Sequence, residues 1–253
     1  MIKKTRESKI LELLNLQGSI EVKDLVANFK ISENTARRDL KSIEEQGLLV
    51  RTHGGAMVVK QQYGFMNFDS RLGKDKVVKE KLSKVAASYI NENDVVFIDG
   101  GTTLYYLYKY LRNKNNIIVI THSLPLIYQL SNSQGIKLIL IGGEVDFGRK
   151  LTSGSIAEKN VNEYHANKAF IGADGVSLKK GISSFESKEA DITRNMILNC
   201  DKIFLVCTSD KIEKEAFIRV DPFEKIHCII TDSNLDEEIA KAYKEKIDIQ
   251  LVS

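Results

Sequence analysis

The chain has 253 residues, 43% of them hydrophobic, a formal net charge of +3 and three cysteines. That length suits two modest domains or one large one, and the composition is that of an ordinary globular protein. With no apolar run of spanning length, no signal-peptide core in Met1-Ile-Lys-Lys-Thr-Arg6 and no zinc-ligand spacing among Cys200, Cys207 and Cys228, the expectation is a cytoplasmic protein with reduced core cysteines, no membrane partner, no metal and no cofactor. The charge is unevenly divided. Residues 1–60 hold 11 Lys and Arg against 8 Asp and Glu, whereas residues 61–253 hold 26 of each, so the whole excess lies in the first quarter. The excess is small, but it suits a domain that meets a polyanion joined to one that does not.

In chain order, Thr5–Gln17 reads as a helix with Ile10, Leu13 and Leu14 inward, closed by Gly18. Glu21–Phe29 reads as a second, with Val22, Leu25, Val26 and Phe29 at i, i+3, i+4, i+7. After a tight turn, Ser32 is a good N-cap for a third helix that ends at Gly47. Ala36, Leu40 and Ile43 share its apolar face; Asn34, Arg37, Arg38 and Lys41 share the opposite one. Arg and Asn are the side chains that read guanine and adenine edges in a major groove. Leu48–Val50, a Gly54-Gly55 turn and Ala56–Val59 add a β wing, which completes a winged helix-turn-helix over residues 1–58. The candidate DNA contacts are Ser32, Asn34, Thr35, Arg37, Arg38, Lys41, Arg51 and His53. For His53, a turn residue bonded to backbone is an equal reading.

The motif Ile31-Ser-Glu-Asn-Thr-Ala-Arg-Arg-Asp-Leu40, followed by Glu45-Gln-Gly-Leu-Leu-Val-Arg-Thr-His-Gly-Gly-Ala56, resembles the signature of the DeoR-type bacterial transcriptional regulators. The resemblance extends over essentially the whole chain. It implies sequence-specific binding to operator DNA, repression of a sugar or sugar-alcohol catabolic operon, and control by a phosphorylated sugar effector.

Residues 59–76 read as a linker, within which Phe68-Asp-Ser-Arg71 resembles a family element at the domain junction. A helix is expected over Lys74–Ile90. From residue 77 to 253, β-branched runs (95–98, 117–120, 137–141, 169–171, 203–206 and 228–230) alternate with helical segments (102–111, 124–130, 155–164, 187–199 and 236–246), and 247–252 reads as an edge strand. Continuous apolar runs that alternate with helices mean an α/β domain with a mainly parallel sheet.

Such a sheet collects its ligand at the carboxyl ends of its strands. The candidate effector site is therefore Asp99, Gly100, Gly101, Thr102 and Thr103 after the first run, Thr121 and His122 after the second, Gly142 and Gly143 after the third, Asp174 after the fourth and Lys211 after the fifth. Glycines permit close backbone approach, the start of a helix at Thr102 attracts an anion, and Lys211 adds a cation. Where His122 stands, the DeoR-type pattern usually has asparagine, and Thr208 stands where it usually has aspartate. Phe185 could close the site or pack in the core.

The same edges resemble ribose phosphate isomerase and its coenzyme A transferase relatives. That resemblance implies a rival function, isomerisation of a sugar phosphate, which needs a carboxylate base. Alignment back from Thr208-Ser-Asp-Lys211 puts Thr193 at the isomerase's glutamate, with Glu186 and Glu189 nearby, so the expectation is an isomerase-like fold without catalysis. One small module holds DNA weakly, and a homodimer or homotetramer on repeated half-sites is expected.

Overall fold

The computed structural model describes residues 3–17, 19–45, 48–52, 54–58 and 67–253, which fall into two compact units, 1–65 and 66–253. In the first unit, α1 (Lys3–Gln17), β1 (Ser19–Glu21), α2 (Val22–Phe29), α3 (Glu33–Glu45), β2 (Leu49–Arg51) and β3 (Gly55–Val58) close around Ile10, Leu14, Ile20, Leu25, Ala36, Leu40, Ile43 and Leu49. The apolar face expected of each helix is the face that is buried. Ser32 caps α3, its Oγ accepting from the Thr35 amide at 3.2 Å. Gly18, Gly47 and His53, expected at two helix ends and in the wing, lie outside the described residues.

The wing has a strand more than expected. The order is β1-β3-β2, with β1 antiparallel to β3 and Glu21 opposite Gly55. Gly55 is therefore a strand residue and not half of a turn. A Cβ there would stand 2.0 Å from the Ile20 carbonyl oxygen, so only glycine lets the two strands meet.

The second unit starts earlier than the expected linker allows. Within 59–76, α4 (Phe68–Leu72) packs into this unit: Phe68 is 2% exposed and its amide donates to the Gly148 carbonyl at 2.7 Å. The buried phenylalanine fixes the segment where the connector reading left it free. α5 (Lys76–Ser88) follows. Then come β4 (Val95–Ile98), α6 (Thr102–Tyr105), α7 (Tyr108–Leu111), β5 (Ile117–Thr121), α8 (Leu124–Leu130) and β6 (Ile136–Leu140). A hairpin, β7 (Glu144–Asp146) and β8 (Leu151–Ser153), precedes α9 (Ser155–Asn162) and β9 (Ala166–Ile171). β10 (Gly175–Ser177) and β11 (Gly181–Ser184) lead to α10 (Ser187–Leu198), β12 (Cys200–Val206) and β13 (Ile218–Asp221). The chain ends with β14 (Ile226–Asp232), α11 (Glu237–Lys244) and β15 (Asp248–Val252).

Seven of these strands form one sheet in the order β15-β14-β12-β9-β4-β5-β6, every neighbour parallel. Alternate side chains serve opposite faces: Val96 and Ile98 join α5, α6, α7 and α8 in one core, and Phe97 joins α9, α10 and α11 in the other. Burial on both sides explains the uninterrupted apolar runs. β10, β11 and β13 form a small antiparallel sheet, and β7 pairs with β8. Cys207 and Cys228 are buried and free; burial pushes their thiols up to about 12 and about 11, which leaves them inert packing groups.

The strand order marks a candidate site. The chain lays down β4, β5 and β6 in one direction, then returns to place β9 on the other side of β4. Diverging connections open a crevice at the carboxyl ends of β4 and β9. Asp99 and Gly172 sit there.

Candidate functional site: a switch-point pocket and an exposed helix face

Asp99 is the junction of the pocket. Its Oδ1 accepts from the Gly100 amide at 2.8 Å and lies 2.9 Å from His122 Nε2; its Oδ2 accepts from the Gly172 amide at 3.2 Å. Thr193 Oγ1 lies 3.2 Å from Oδ2 and 3.0 Å from the Glu189 carbonyl, and its single proton serves one of them. One carboxylate thus ties together the ends of β4, β5 and β9 and the middle of α10.

His122 is fully buried, its Nδ1 2.9 Å from the Thr152 carbonyl on β8. Burial alone would lower its pKa, but the hydrogen bond and charge of Asp99, the Thr152 carbonyl and the charge of Glu189 together raise it above the ordinary value. Gly100 makes room for the ring, since a Cβ there would lie 3.0 Å from His122 Nε2 and 2.9 Å from Leu151 Cδ2. Gly101 adopts φ +100°, a conformation open chiefly to glycine.

Cations gather on the other side. Arg149, 6% exposed, stands in the β7–β8 hairpin with its Nε 3.4 Å from Glu189 Oε1. Arg71, on α4, has its Nη1 3.8 Å from Asp174 Oδ1. Burial lowers the Arg71 pKa and the charge of Arg149 lowers it further, against Glu189 and Asp174. Lys79 is 6% exposed and donates to the Arg71 carbonyl at 2.5 Å. Burial brings it down to about 8; Asp75 opposes this, while Arg71, Lys211 and Lys74 reinforce it. Like charges held this close favour an anion.

The expected site residues separate into those that converge and those already engaged. Asp99, Gly100, Gly101, Thr102 and Asp174 lie at the crevice, and the Asp174 Oδ2 accepts from the Phe185 amide at 3.1 Å and from Ser184 at 3.3 Å. Thr103 has its carbonyl bound by Ser83. Thr121 is fully buried with its Oγ1 accepting from the Ser123 amide, so it shapes the start of α8. Gly143 packs on Ser153 and Ala157, where a Cβ would meet the Ser153 carbonyl oxygen at 2.5 Å; a Cβ on Gly142 would make ordinary contact with Asn160 Nδ2 at 3.6 Å. Lys211 lies half-exposed, 4.0 Å from Asp210. The helix expected from Thr102 is broken: α6 has four residues, too few for a strong dipole. An anion bound here would therefore be held mainly by side-chain charge.

Arg149 was not legible, because nothing in Asp146-Phe-Gly-Arg149 marks a hairpin that folds back on the sheet; Arg71 was visible only as a motif in a presumed linker. A separate apolar groove of about 410 Å³, lined by Phe68, Leu72, Tyr105, Pro125 and Tyr128, holds none of the polar edge residues.

In the first unit, Asn34, Arg37, Arg38, Lys41 and Arg51 are exposed, as is Ser32, with Thr35 partly so. Arg37 pairs with Glu33 at 2.6 Å, Lys41 lies 3.9 Å from Glu45, and Arg51 lies 3.7 Å from Glu44, whose Oε1 also accepts the Arg51 amide at 2.9 Å. Behind this face, Asp39 is buried and held by Arg6 through two hydrogen bonds of 2.5 and 3.1 Å, which pins α1 to α3.

A winged helix-turn-helix whose third helix exposes Asn34, Arg37, Arg38 and Lys41, in one chain with a parallel α/β unit that gathers charged groups at its switch point, defines a DNA-binding transcriptional regulator with a sensor domain. The chain belongs to the DeoR family: the DeoR-like helix-turn-helix domain matches residues 6–62 and the DeoR C-terminal sensor domain matches residues 74–233. It is 31% identical over 246 residues to the uncharacterized HTH-type transcriptional regulator YulB of Bacillus subtilis (strain 168), covering 97% of this chain and 95% of that one. It is 34% identical over 253 residues to the lactose phosphotransferase system repressor of Lactococcus lactis subsp. lactis, covering 97% of each. Among solved structures, ribose 5-phosphate isomerase A of Methanocaldococcus jannaschii aligns with 55% of each chain at 16% identity and a TM-score of 0.40. Among the described residues, no helix is long and apolar enough to cross a membrane.

Proposed function

We propose that this regulator represses a sugar or sugar-alcohol catabolic operon in the cytoplasm, and that a phosphorylated intermediate of that pathway is its effector. The observation that carries the reading is the gathering of Arg71, Arg149 and Lys79 beside Asp174 and Glu189, the latter within reach of the charge of Asp99 on the glycine edge; the phosphate of a sugar ester would sit at the cations and the acids would meet its hydroxyls. The effector shifts the population between operator-competent and incompetent forms. The protein acts as a homodimer or homotetramer on repeated half-sites, since a single winged helix buries little DNA surface. The pocket senses and does not catalyse: the position of the isomerase's base holds Thr193, a hydroxyl that cannot abstract a carbon-bound proton at neutral pH.

The test is fluorescence anisotropy with the upstream region of the protein's own gene, titrated with sugar and sugar-alcohol phosphates at fixed salt. Binding above random DNA, shifted by one phosphate ester, is expected. Turnover of a sugar phosphate without any effect on DNA would replace this reading with the isomerase one.

A further inference from the structure

Two polar atoms of the pocket are sealed from solvent without a hydrogen bond: Glu189 Oε1 and Arg71 Nε. They belong to one cluster. Glu189 stands in the first turn of α10 and keeps a fifth of its side chain accessible, while its Oε1 faces Arg149 Nε at 3.4 Å without an aligned donor. The charged groups that act on Glu189 come from four elements: Arg149 from the β7–β8 hairpin, Arg71 from α4, Asp174 after β9 and Asp99 after β4. His122, after β5, faces the same group. The arginines favour the carboxylate; burial and the two aspartates favour the acid.

We propose that Arg71 and Arg149 form the anion-binding end of the effector pocket and that Glu189 takes up a proton when they engage a dianion, entering the complex as a neutral acid whose O–H is donated to the ligand. This rests on the effector reading above. In the free pocket, the two guanidinium groups oppose the burial of Glu189 and keep it ionised above about pH 7. A dianion that claims both removes that support and adds its own repulsion, so the carboxylate binds a proton from solvent and becomes a donor. Burial holds Glu189 at about 7 before any ligand arrives, which places the exchange in the neutral range. The ligand class that fits is a dianionic phosphomonoester bearing a hydroxyl or ester oxygen within reach of Glu189. A sugar acid with one negative charge exerts less of this effect.

The experiment uses sulfate as probe, because it is a dianion that does not itself titrate near neutrality. Its affinity for the full-length protein and for Glu189→Gln is measured by thermal shift from about pH 7.5 to about pH 8.5, a range over which uptake of one proton weakens binding by close to tenfold. Lys79 also titrates here and lowers affinity in both proteins, so the difference between them is what is read. The expected result is that wild type loses about tenfold more affinity than Glu189→Gln. Calorimetry of the wild type in two buffers of different ionisation enthalpy at about pH 7, where Lys79 is already mostly charged and Glu189 is not fully protonated, should show sulfate binding heats that differ by the heat of the proton drawn from buffer. Parallel pH profiles with buffer-independent heats would overturn the role of Glu189 and leave the effector pocket standing. If neither sulfate nor any sugar phosphate stabilises the protein, the pocket itself has been misread and this inference falls with it.

Discussion

His122 Nε2 lies 2.9 Å from Asp99 Oδ1, and the same nitrogen lies 2.8 Å from the Gly100 amide. The Nδ1–H donates to the Thr152 carbonyl, which can only accept. A neutral ring would then point its Nε2 lone pair at a carboxylate. An imidazolium instead donates to Asp99 and leaves the Gly100 amide to the carboxylate, and the raised pKa agrees. Because the folded pKa is above the unfolded one, this pair stabilises fully below about pH 6.5 and its contribution is lost as pH rises through the raised value. His122→Ala breaks a buried pair and should cost about 3–5 kcal/mol at low pH. Scanning calorimetry of wild type and variant across pH checks this: the gap must narrow on the alkaline side, and a pH-independent gap would show that His122 is neutral.

Gly100→Ala tests the same arrangement from the backbone side. The added Cβ would stand 3.0 Å from His122 Nε2 and 2.9 Å from Leu151 Cδ2. Leu151 can yield; the ring, bonded at both nitrogens, cannot without losing Asp99. Overpacking of this kind costs about 1–3 kcal/mol. The expected outcome is a modest fall in melting temperature with a blunted response to the effector in the anisotropy assay. A full response would mean that Asp99 and His122 tolerate displacement without consequence for the ligand.

The parallel sheet was legible because burial on both faces leaves a continuous apolar run, as in Val95–Ile98 and Ile203–Val206, and the ends of those runs located Asp99, His122 and Asp174. The α3 face was legible because Ala36, Leu40 and Ile43 repeat at helical spacing. What periodicity does not report is how irregular segments converge. Arg71 sits in a five-residue helix and Arg149 in a hairpin of three-residue strands, both too short to carry a pattern. Thr121 was expected at the ligand because it follows a strand, but its hydroxyl is spent on a local turn. β10 and β11 are built on Gly and Ser, whose burial comes from the small sheet they join.

Arg6 and Asp39 hold the first unit together in a way the DNA-binding motif alone does not announce. Asp39 is 2% exposed, and two of its hydrogen bonds come from Arg6 on α1. Asp39→Ala removes the acceptor and leaves a guanidinium that is 11% exposed beside the apolar core. Breaking such a pair from one side costs about 3–5 kcal/mol, enough to unfold a small unit. Hydrogen exchange should show lost protection across α1 and α3, with the second unit unaffected. Arg6→Ala combined with Asp39→Ala should cost less than the sum of the two single losses, because the double variant loses the shared pair only once. A double variant as unstable as the sum of the single ones would mean that the two residues act independently.

Arg37 and Arg38 are adjacent on the exposed face of α3 but are not equivalent. Arg37 is engaged by Glu33 at 2.6 Å, whereas Arg38 enters no ion pair among the described residues. Arg38 is therefore the less encumbered of the two arginines, and Arg37 would have to leave Glu33 to contact DNA. Arg38→Ala should lower affinity for the upstream region. If it contacts phosphate, the loss is uniform across sequences and the slope of log affinity against log salt falls by about 0.9. If it reads a base, discrimination at one base pair falls by about 1–3 kcal/mol and the slope changes little. Glu33→Ala should act in the opposite sense, since it releases Arg37 and removes a negative charge from the approaching face. Anisotropy titrations at several salt concentrations, on the natural site and on single-base variants, separate these outcomes. Unchanged affinity, slope and discrimination in Arg38→Ala would mean that α3 presents a different face to the groove.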